Sequence, residues 1–127
     1  MGYRSKVALA LTSKGVGTLE NRLASSEICE EVRKRIQEFL DHPDKHTRDE
    51  DTGQEAWYWD SLKWYTDDPV HFPDVDFIEK LLSEMPYGDY RFIRIGEDYD
   101  DTEMRGAFWE SSLSMEVVKY INFSVGL

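Results

Sequence analysis

The fold of this chain is decided by residues 89–101, which read DYRFIRIGEDYDD. Side chains alternate between the two faces of a β-strand, so Tyr90 and Phe92 are expected on one face and Ile93 and Ile95 on the other. Apolar groups on both faces predict a strand inside a sheet that is covered from both sides. A glycine ends this apolar run, and the strand leads directly into an acidic turn.

The acidic turn places five carboxylates within a short segment after the strand. They are Glu97, Asp98, Asp100, Asp101 and Glu103. Hard cations take oxygen ligands, and alternating carboxylates can converge on one of them. The calcium-loop pattern with its invariant glycine is absent, so we predict a solvated turn and no metal site. A third interpretation is an acidic face that engages a basic protein partner.

The composition limits the classes of partner. The chain has 127 residues, a common size for one domain, so we predict a single domain over residues 1–127. Its 26 acidic and 15 basic residues give a formal net charge of −11. Binding to the nucleic-acid backbone is disfavoured because it requires clustered lysine and arginine, and anionic membranes are disfavoured for the same reason. The charge fits a basic protein partner, a metal or solubility.

The N-terminal part of the chain is predicted to alternate strand and helix. A short apolar run over residues 7–11 predicts a buried strand, and Gly-Val-Gly at residues 15–17 predicts a flexible turn. Apolar residues recur every three to four positions within residues 18–40, which predicts the main helical region. Cys29 lies beside that apolar face, so we predict a small core residue rather than a nucleophile.

The middle of the chain is predicted to contain a loop, a strand region and a second helix. Residues 41–54 are polar and show no periodicity, so they are predicted as the longest loop. Aromatic enrichment in residues 55–65 favours a strand, or two short strands with a bend. A second helix follows, with Asp74 predicted as its N-cap.

The C-terminal part is predicted to be a hairpin that completes an α+β fold. Two strands are predicted over residues 104–109 and 115–125, joined by a link at residues 111–114. The whole order predicts a ferredoxin-like α+β sandwich, with about five mostly antiparallel strands and two helices on one face.

A second candidate surface is aromatic. Trp57 and Trp59 lie in the aromatic strand region and are predicted to contribute an exposed patch for a partner. Histidine and aspartate in residues 41–54 suit a transition metal, but two histidines in a flexible loop do not make a rigid site. No complete catalytic motif occurs, so we predict no enzyme activity, no catalytic residue and no cofactor.

Two segments resemble small uncharacterised proteins of bacteriophages and prophages. They are MGYRS followed by VALAL, within residues 1–11, and YRFIRIGEDYDD at residues 90–101. The resemblance implies an origin in a phage or an integrated element, and action in the cytoplasm of the bacterial host. Small acidic phage proteins are similar in character to inhibitors of host defence, some of which mimic DNA.

The preferred hypothesis is therefore a non-enzymatic phage or prophage accessory protein. Its acidic face, centred on Glu97–Glu103, would bind a basic host protein, with an inhibitor of host defence or a DNA mimic as specific forms. Two alternatives stay open. One is a small metal-dependent or ligand-binding enzyme that uses the same carboxylates, and the other is a virion or assembly component.

Overall fold

The computed structural model describes residues 3–98, 100–107, 113–117 and 121–125, the last two ranges as backbone only. In chain order the elements are β1 (Ser5–Leu11), α1 (Ser13–Leu23), α2 (Glu30–Asp41), β2 (Lys45–Arg48), β3 (Glu55–Leu62), α3 (Pro73–Glu84), a 3-10 turn (Tyr87–Asp89), β4 (Tyr90–Ile95), β5 (Thr102–Arg105), β6 (Leu113–Val117) and β7 (Ile121–Val125). Five strands form one antiparallel sheet in the order β2-β3-β1-β4-β5, and β6 pairs with β7. The predicted α+β class is confirmed, with three helices in place of two, while the ferredoxin-like assignment stays a prediction.

The middle strand of the sheet is β1, which pairs antiparallel with β3 on one side and with β4 on the other. Val7, Leu9 and Leu11 point to one face of the sheet and are almost fully buried in the main core. Each helix buries an apolar stripe in the same core, so all three helices cover this face. The stripes are Val16 and Leu19 of α1, Ile36 and Leu40 of α2, and Val75, Ile78, Leu81 and Leu82 of α3.

The strand β4 is buried on both faces, as the alternation of its residues predicts. Tyr90 and Phe92 join the main core beneath the helices. Ile93 lies on the opposite face, where it forms a second buried cluster with Ala8 and Tyr58. Burial on both sides means that β4 cannot slip by one residue without exchanging its two apolar sets, so its register is fixed.

The prediction of a glycine turn at residues 15–17 is wrong, because these residues lie inside α1. The side chain of Thr12 caps the helix by accepting a hydrogen bond from the Gly15 N–H at 3.1 Å. Gly15 is buried, and a Cβ built there would lie 2.8 Å from the carbonyl oxygen of Asp89. The glycine therefore allows the helix to approach the start of β4 closely.

We expect opposite effects when the two glycines of α1 are replaced with alanine. Gly17→Ala should raise the free energy of unfolding by up to about 1 kcal/mol, because alanine is the better helix former and nothing lies within 4 Å of its Cβ. Gly15→Ala should lower it by about 1–3 kcal/mol through overpacking. Urea denaturation measures both values, and a stabilised Gly15→Ala variant would contradict the close contact between α1 and Asp89.

The loop predicted over residues 41–54 is also wrong, because its centre forms the edge strand β2. Four polar residues give no alternation to read, so only their pairing with β3 identifies the strand. The turn that follows is closed by Asp49, whose side chain accepts hydrogen bonds from the backbone N–H groups of Asp51 and Thr52.

The predicted helix boundaries need three corrections. The main helical region predicted over residues 18–40 is two helices, α1 and α2, separated by a turn. Cys29 is the N-cap residue of α2 and is exposed, so it is not a core residue. Phe72, not Asp74, is the N-cap of α3, because Pro73 already occupies the first turn.

The C-terminal strands differ from their predicted bounds as well. The strand predicted at residues 104–109 overlaps β5, which begins at Thr102 and ends at Arg105, and residues 108 and 109 lie outside the described residues. The strand predicted at residues 115–125 overlaps both β6 and β7, which pair with each other, and residues 118–120 lie outside the described residues. Residues 113 and 114 of the predicted link belong to β6, and the rest of that link lies outside the described residues. Within the described part of the chain, each helix is too short or too polar to cross a bilayer.

Candidate binding site: the acidic turn and its arginine anchor

The acidic turn is a tight connection between β4 and β5. The backbone N–H of Gly96 donates to the carbonyl oxygen of Asp101 at 2.8 Å, and the N–H of Asp101 donates to that of Asp98 at 3.0 Å. A Cβ on Gly96 would overlap the carboxylate of Asp101 and the hydroxyl of Tyr3. Position 96 therefore has to be glycine for the carboxylate of Asp101 to lie against the end of β4.

Arg94 holds this turn from the last part of β4. Its guanidinium forms a two-pronged contact with Asp101, at 2.7 and 3.1 Å, and its Nε donates to Glu103 at 3.1 Å. A further N–H donates to the hydroxyl of Ser5 on β1 at 3.1 Å. The hydrogen bonds from Arg94 are the largest cause of a lowered pKa at Asp101, and the hydrogen bond from Tyr3 adds to it.

The N-terminal segment is fastened to the same turn. The Tyr3 hydroxyl donates to Asp101 at 2.7 Å and accepts a hydrogen bond from the Asp98 N–H at 2.9 Å. The backbone N–H of Arg4 donates to the carboxylate of Glu97 at 2.5 Å. These contacts join positions more than 90 residues apart, so the shape of the turn depends on the folded sheet rather than on its own sequence.

The polar contacts continue across the sheet to the third helix. Arg105 on β5 contacts Glu103 at 3.1 Å through Nε and donates to both oxygens of Glu79 on α3 at 2.9 Å. Glu79 also accepts a hydrogen bond from the indole N–H of Trp64 at 2.9 Å. A row of alternating charges therefore runs from the N-terminal segment through β4 and β5 to α3.

The five carboxylates of the turn consequently have different roles. Asp101 and Glu103 are half-buried and paired with arginine, and Glu97 uses one oxygen to bind the N-terminal backbone. Asp98 and Asp100 are exposed. The turn thus divides into an inner part that holds the structure together and an outer part, Glu97, Asp98 and Asp100, that faces solvent.

Two more carboxylates lie at the same end of the sheet. Because β1 is antiparallel to both neighbours, β1 begins where β3 and β4 end. Asp60 near the end of β3 is exposed and pairs with Lys6 at 2.7 Å. Asp44, just before β2, accepts a hydrogen bond from the Asp60 N–H at 2.7 Å. We call the exposed group formed by Asp44, Asp60, Glu97, Asp98 and Asp100 the acidic end of the sheet.

The acidic turn does not form a cage for a cation. In the part of the chain that the structure describes, no group of three or more histidine, cysteine, aspartate or glutamate side chains is placed to hold a metal ion. The inner carboxylates already face arginine, which occupies the position that a cation would need.

The aromatic surface predicted at Trp57 and Trp59 is wrong, because both side chains are buried, each only 3% exposed. Trp59 stacks on Phe39 with ring centroids 4.3 Å apart and donates its indole N–H to the Phe39 carbonyl oxygen at 3.1 Å. Positions two apart on a strand share one face, so both indoles point toward the helices. They form core and contribute no partner surface.

Sequence reasoning did not identify Arg94 and Tyr3 as parts of the site. Arg94 carried a usable signal, since a charged residue within an apolar strand requires a partner. Tyr3 carried none, because its contacts with Asp98 and Asp101 exist only once β1 lies beside β4.

Comparisons with known proteins give no indication of the function. No protein-family model, no curated protein and no solved structure matches the chain.

Proposed function

We propose that this protein is a non-enzymatic binding protein that contacts a basic protein through the acidic end of its sheet. The observation that carries the proposal is the division of the acidic turn. Its inner carboxylates are neutralised by arginine and hold the turn in place, whereas Asp98 and Asp100 stay exposed.

A turn that is already fixed binds with a smaller entropic cost than a flexible one, because little has to be ordered on association. The net charge of −11 attracts a basic partner over distances of several ångströms, and this attraction raises the association rate. The same negative charge repels acidic proteins, so it also makes binding selective for basic partners. These arguments favour a protein partner that presents clustered lysine or arginine.

The proposed setting is the cytoplasm of a bacterium that carries a phage or prophage. The resemblance of residues 1–11 and 90–101 to small phage proteins supports this setting. Within it, an accessory protein that inhibits a host defence protein, as a DNA mimic does, is the specific role we propose. The partner would then bind this protein through the same basic surface with which it otherwise binds nucleic acid.

A pull-down from a bacterial lysate tests the proposal. We expect wild-type protein to retain a basic partner at low salt and to release most of it at about 0.5 M salt, where the Debye length is only a few ångströms. The double variant Asp98→Asn/Asp100→Asn should retain much less of the same partner at low salt.

The matched control is Glu50→Gln/Asp51→Asn, which removes the same charge from the turn between β2 and β3. That turn lies at the opposite end of the sheet, since the end of β1 pairs with the start of β3. The control should bind as the wild type does. Equal losses for both variants would show that only net charge matters, and the absence of any salt-sensitive partner would contradict the proposal.

A further inference from the structure

The segment before β1 crosses the acidic end of the sheet. Tyr3 and Arg4 precede the first residue of β1 and belong to no helix or strand. Among the described residues, every hydrogen bond that holds these two residues involves a side chain. We call Tyr3 and Arg4 the N-terminal strap, because their contacts join the loop after β3 to the acidic turn.

The first anchor of the strap is Tyr65, in the loop that follows β3. Its hydroxyl accepts a hydrogen bond from the backbone N–H of Tyr3 at 2.8 Å. The Tyr65 ring packs edge-on against Phe72 with centroids 5.1 Å apart, and Phe72 packs against the main core. The Tyr65 hydroxyl is therefore placed by a ring that the core supports.

The second anchor is the acidic turn itself, which the Tyr3 hydroxyl enters. This hydroxyl lies in the space that a Cβ on Gly96 would fill. It both donates and accepts there, because it donates to Asp101 at 2.7 Å and accepts from the Asp98 N–H at 2.9 Å. Arg94 is the largest cause of the lowered pKa of Asp101, and the hydrogen bond from Tyr3 is the next. One hydroxyl thus connects the inner part of the turn with its outer part.

The strap and Arg94 hold different parts of the turn. Among the described residues, the guanidinium of Arg94 pairs with the inner carboxylates, Asp101 and Glu103. The outer part is held from outside the turn by the strap. Tyr3 binds the N–H of Asp98, and the Arg4 N–H binds the carboxylate of Glu97 at 2.5 Å. Loss of the strap would therefore leave the inner part in place and release the outer part.

The bonds of the strap can be released without unfolding the protein. All of them are part-buried or exposed, and such bonds add only modestly to stability because water replaces them when they open. Segments with few buried contacts open locally while the rest of the fold persists. Tyr3 makes every one of these bonds except that of Arg4 with Glu97, so the strap depends mainly on this residue.

We propose that the N-terminal strap controls the conformation of the outer part of the acidic turn, with Tyr3 as its positioning residue and Tyr65 as its fixed end. While the strap is bound, Glu97 and Asp98 are held against the sheet. Once it is released, the outer part becomes mobile, whereas Asp101 and Glu103 stay paired with arginine. A mobile outer part raises the entropic cost of binding, and this last consequence alone rests on the proposed function.

Amide hydrogen exchange of the full chain tests the proposal through variants that each remove one tyrosine hydroxyl. Tyr3→Phe should speed exchange of the Asp98 N–H by about tenfold, because this N–H loses its acceptor. Tyr65→Phe should speed it by about threefold, because the strap loses its fixed end. The matched control is Tyr87→Phe, since Tyr87 is 64% exposed and packs on Tyr90 at the end of β4 far from the turn. This control should leave the exchange rate of Asp98 unchanged.

The pattern of change separates the strap from a general loss of stability. Exchange at Ile93 within β4 should stay as in the wild type. The pKa of Asp101, followed by ¹³C NMR of its carboxyl group, should be higher in Tyr3→Phe, which keeps the hydrogen bonds from Arg94 but loses the one from Tyr3. An unprotected Asp98 N–H in the wild type, no change in Tyr3→Phe or Tyr65→Phe, or equal acceleration at Ile93 would overturn the proposal. None of these measurements needs a partner, so a pull-down that retains nothing would contradict the proposed function alone.

Discussion

Replacing Phe92 with alanine is expected to lower the free energy of unfolding by about 3–5 kcal/mol, the range for deleting a fully buried aromatic side chain. Phe92 has no solvent exposure and lies at the centre of β4. Its ring packs against Trp64 with centroids 5.6 Å apart, and the guanidinium carbon of Arg105 lies 4.6 Å from its centroid. The substitution would therefore remove core contacts and a cation–π contact together.

The control for Phe92→Ala is Met104→Ala on the neighbouring strand β5. Met104 is 55% exposed, so its truncation should change stability by less than about 0.5 kcal/mol. Urea denaturation with both variants at one pH gives the two values. A loss below about 1 kcal/mol for Phe92→Ala would contradict the burial of β4 beneath the helices.

Replacing Arg94 with methionine is expected to lower the free energy of unfolding by about 2–3 kcal/mol, between the values for a surface ion pair and a buried one. Methionine keeps much of the apolar stem but leaves Asp101 and Glu103 without the guanidinium that they share. Arg94 is only 16% exposed, so the loss should exceed that of a surface ion pair while staying below that of a fully buried one. Chemical denaturation at neutral pH measures this difference.

The effect of Arg94→Met should depend on pH. The pKa of Asp101 in the folded protein lies below its ordinary value because of the hydrogen bonds from Arg94. The stability that this shift contributes is therefore present above the unfolded pKa of about 4, and is lost as the pH falls through the folded pKa. The stabilities of wild type and variant should converge in acid, and a gap that does not narrow would contradict the role of Asp101.

The control for Arg94→Met is Lys6→Met on β1. Lys6 also forms an ion pair at 2.7 Å, with Asp60, but both side chains are well exposed. Its loss should cost less than about 1 kcal/mol, as is usual for surface pairs. Equal losses for both variants would show that Arg94 acts only as another surface cation.

The parts of the fold that the sequence predicted are those with local apolar periodicity. The alternation in residues 90–95 identifies β4 and assigns each side chain to the correct face. The apolar stripe of α3 is equally local, since its buried residues recur at helical spacing. In these segments the apolar residues that recur at strand or helix spacing are the same residues that are buried in the structure.

The parts that the sequence did not predict depend on contacts between distant segments. Gly15 resembles a turn residue, but its lack of a side chain serves the approach of α1 to Asp89. The strand β2 has no apolar pattern and exists because β3 offers an open edge. Aromatic enrichment located a strand around Trp57 and Trp59, but composition could not show that three helices cover them.

The acidic turn was predicted as a segment but not as a structure. Five carboxylates within seven residues suggest a uniformly charged surface, and no local pattern separates Asp101 from Asp100. That separation comes from Arg94 and Tyr3, which reach the turn from β4 and from the N-terminal segment. A site predicted from charge alone therefore overestimates how many carboxylates can face a partner.

The central claim is that the acidic turn is held in one conformation before any partner binds. Backbone ¹⁵N relaxation of the free protein tests it most directly, through the order parameters of Asp98 and Asp100. We expect order parameters of about 0.85 for both residues, as in rigid backbone, and lower values in the Arg94→Met variant. Values below about 0.6 in the wild-type protein would show a flexible turn and contradict the account.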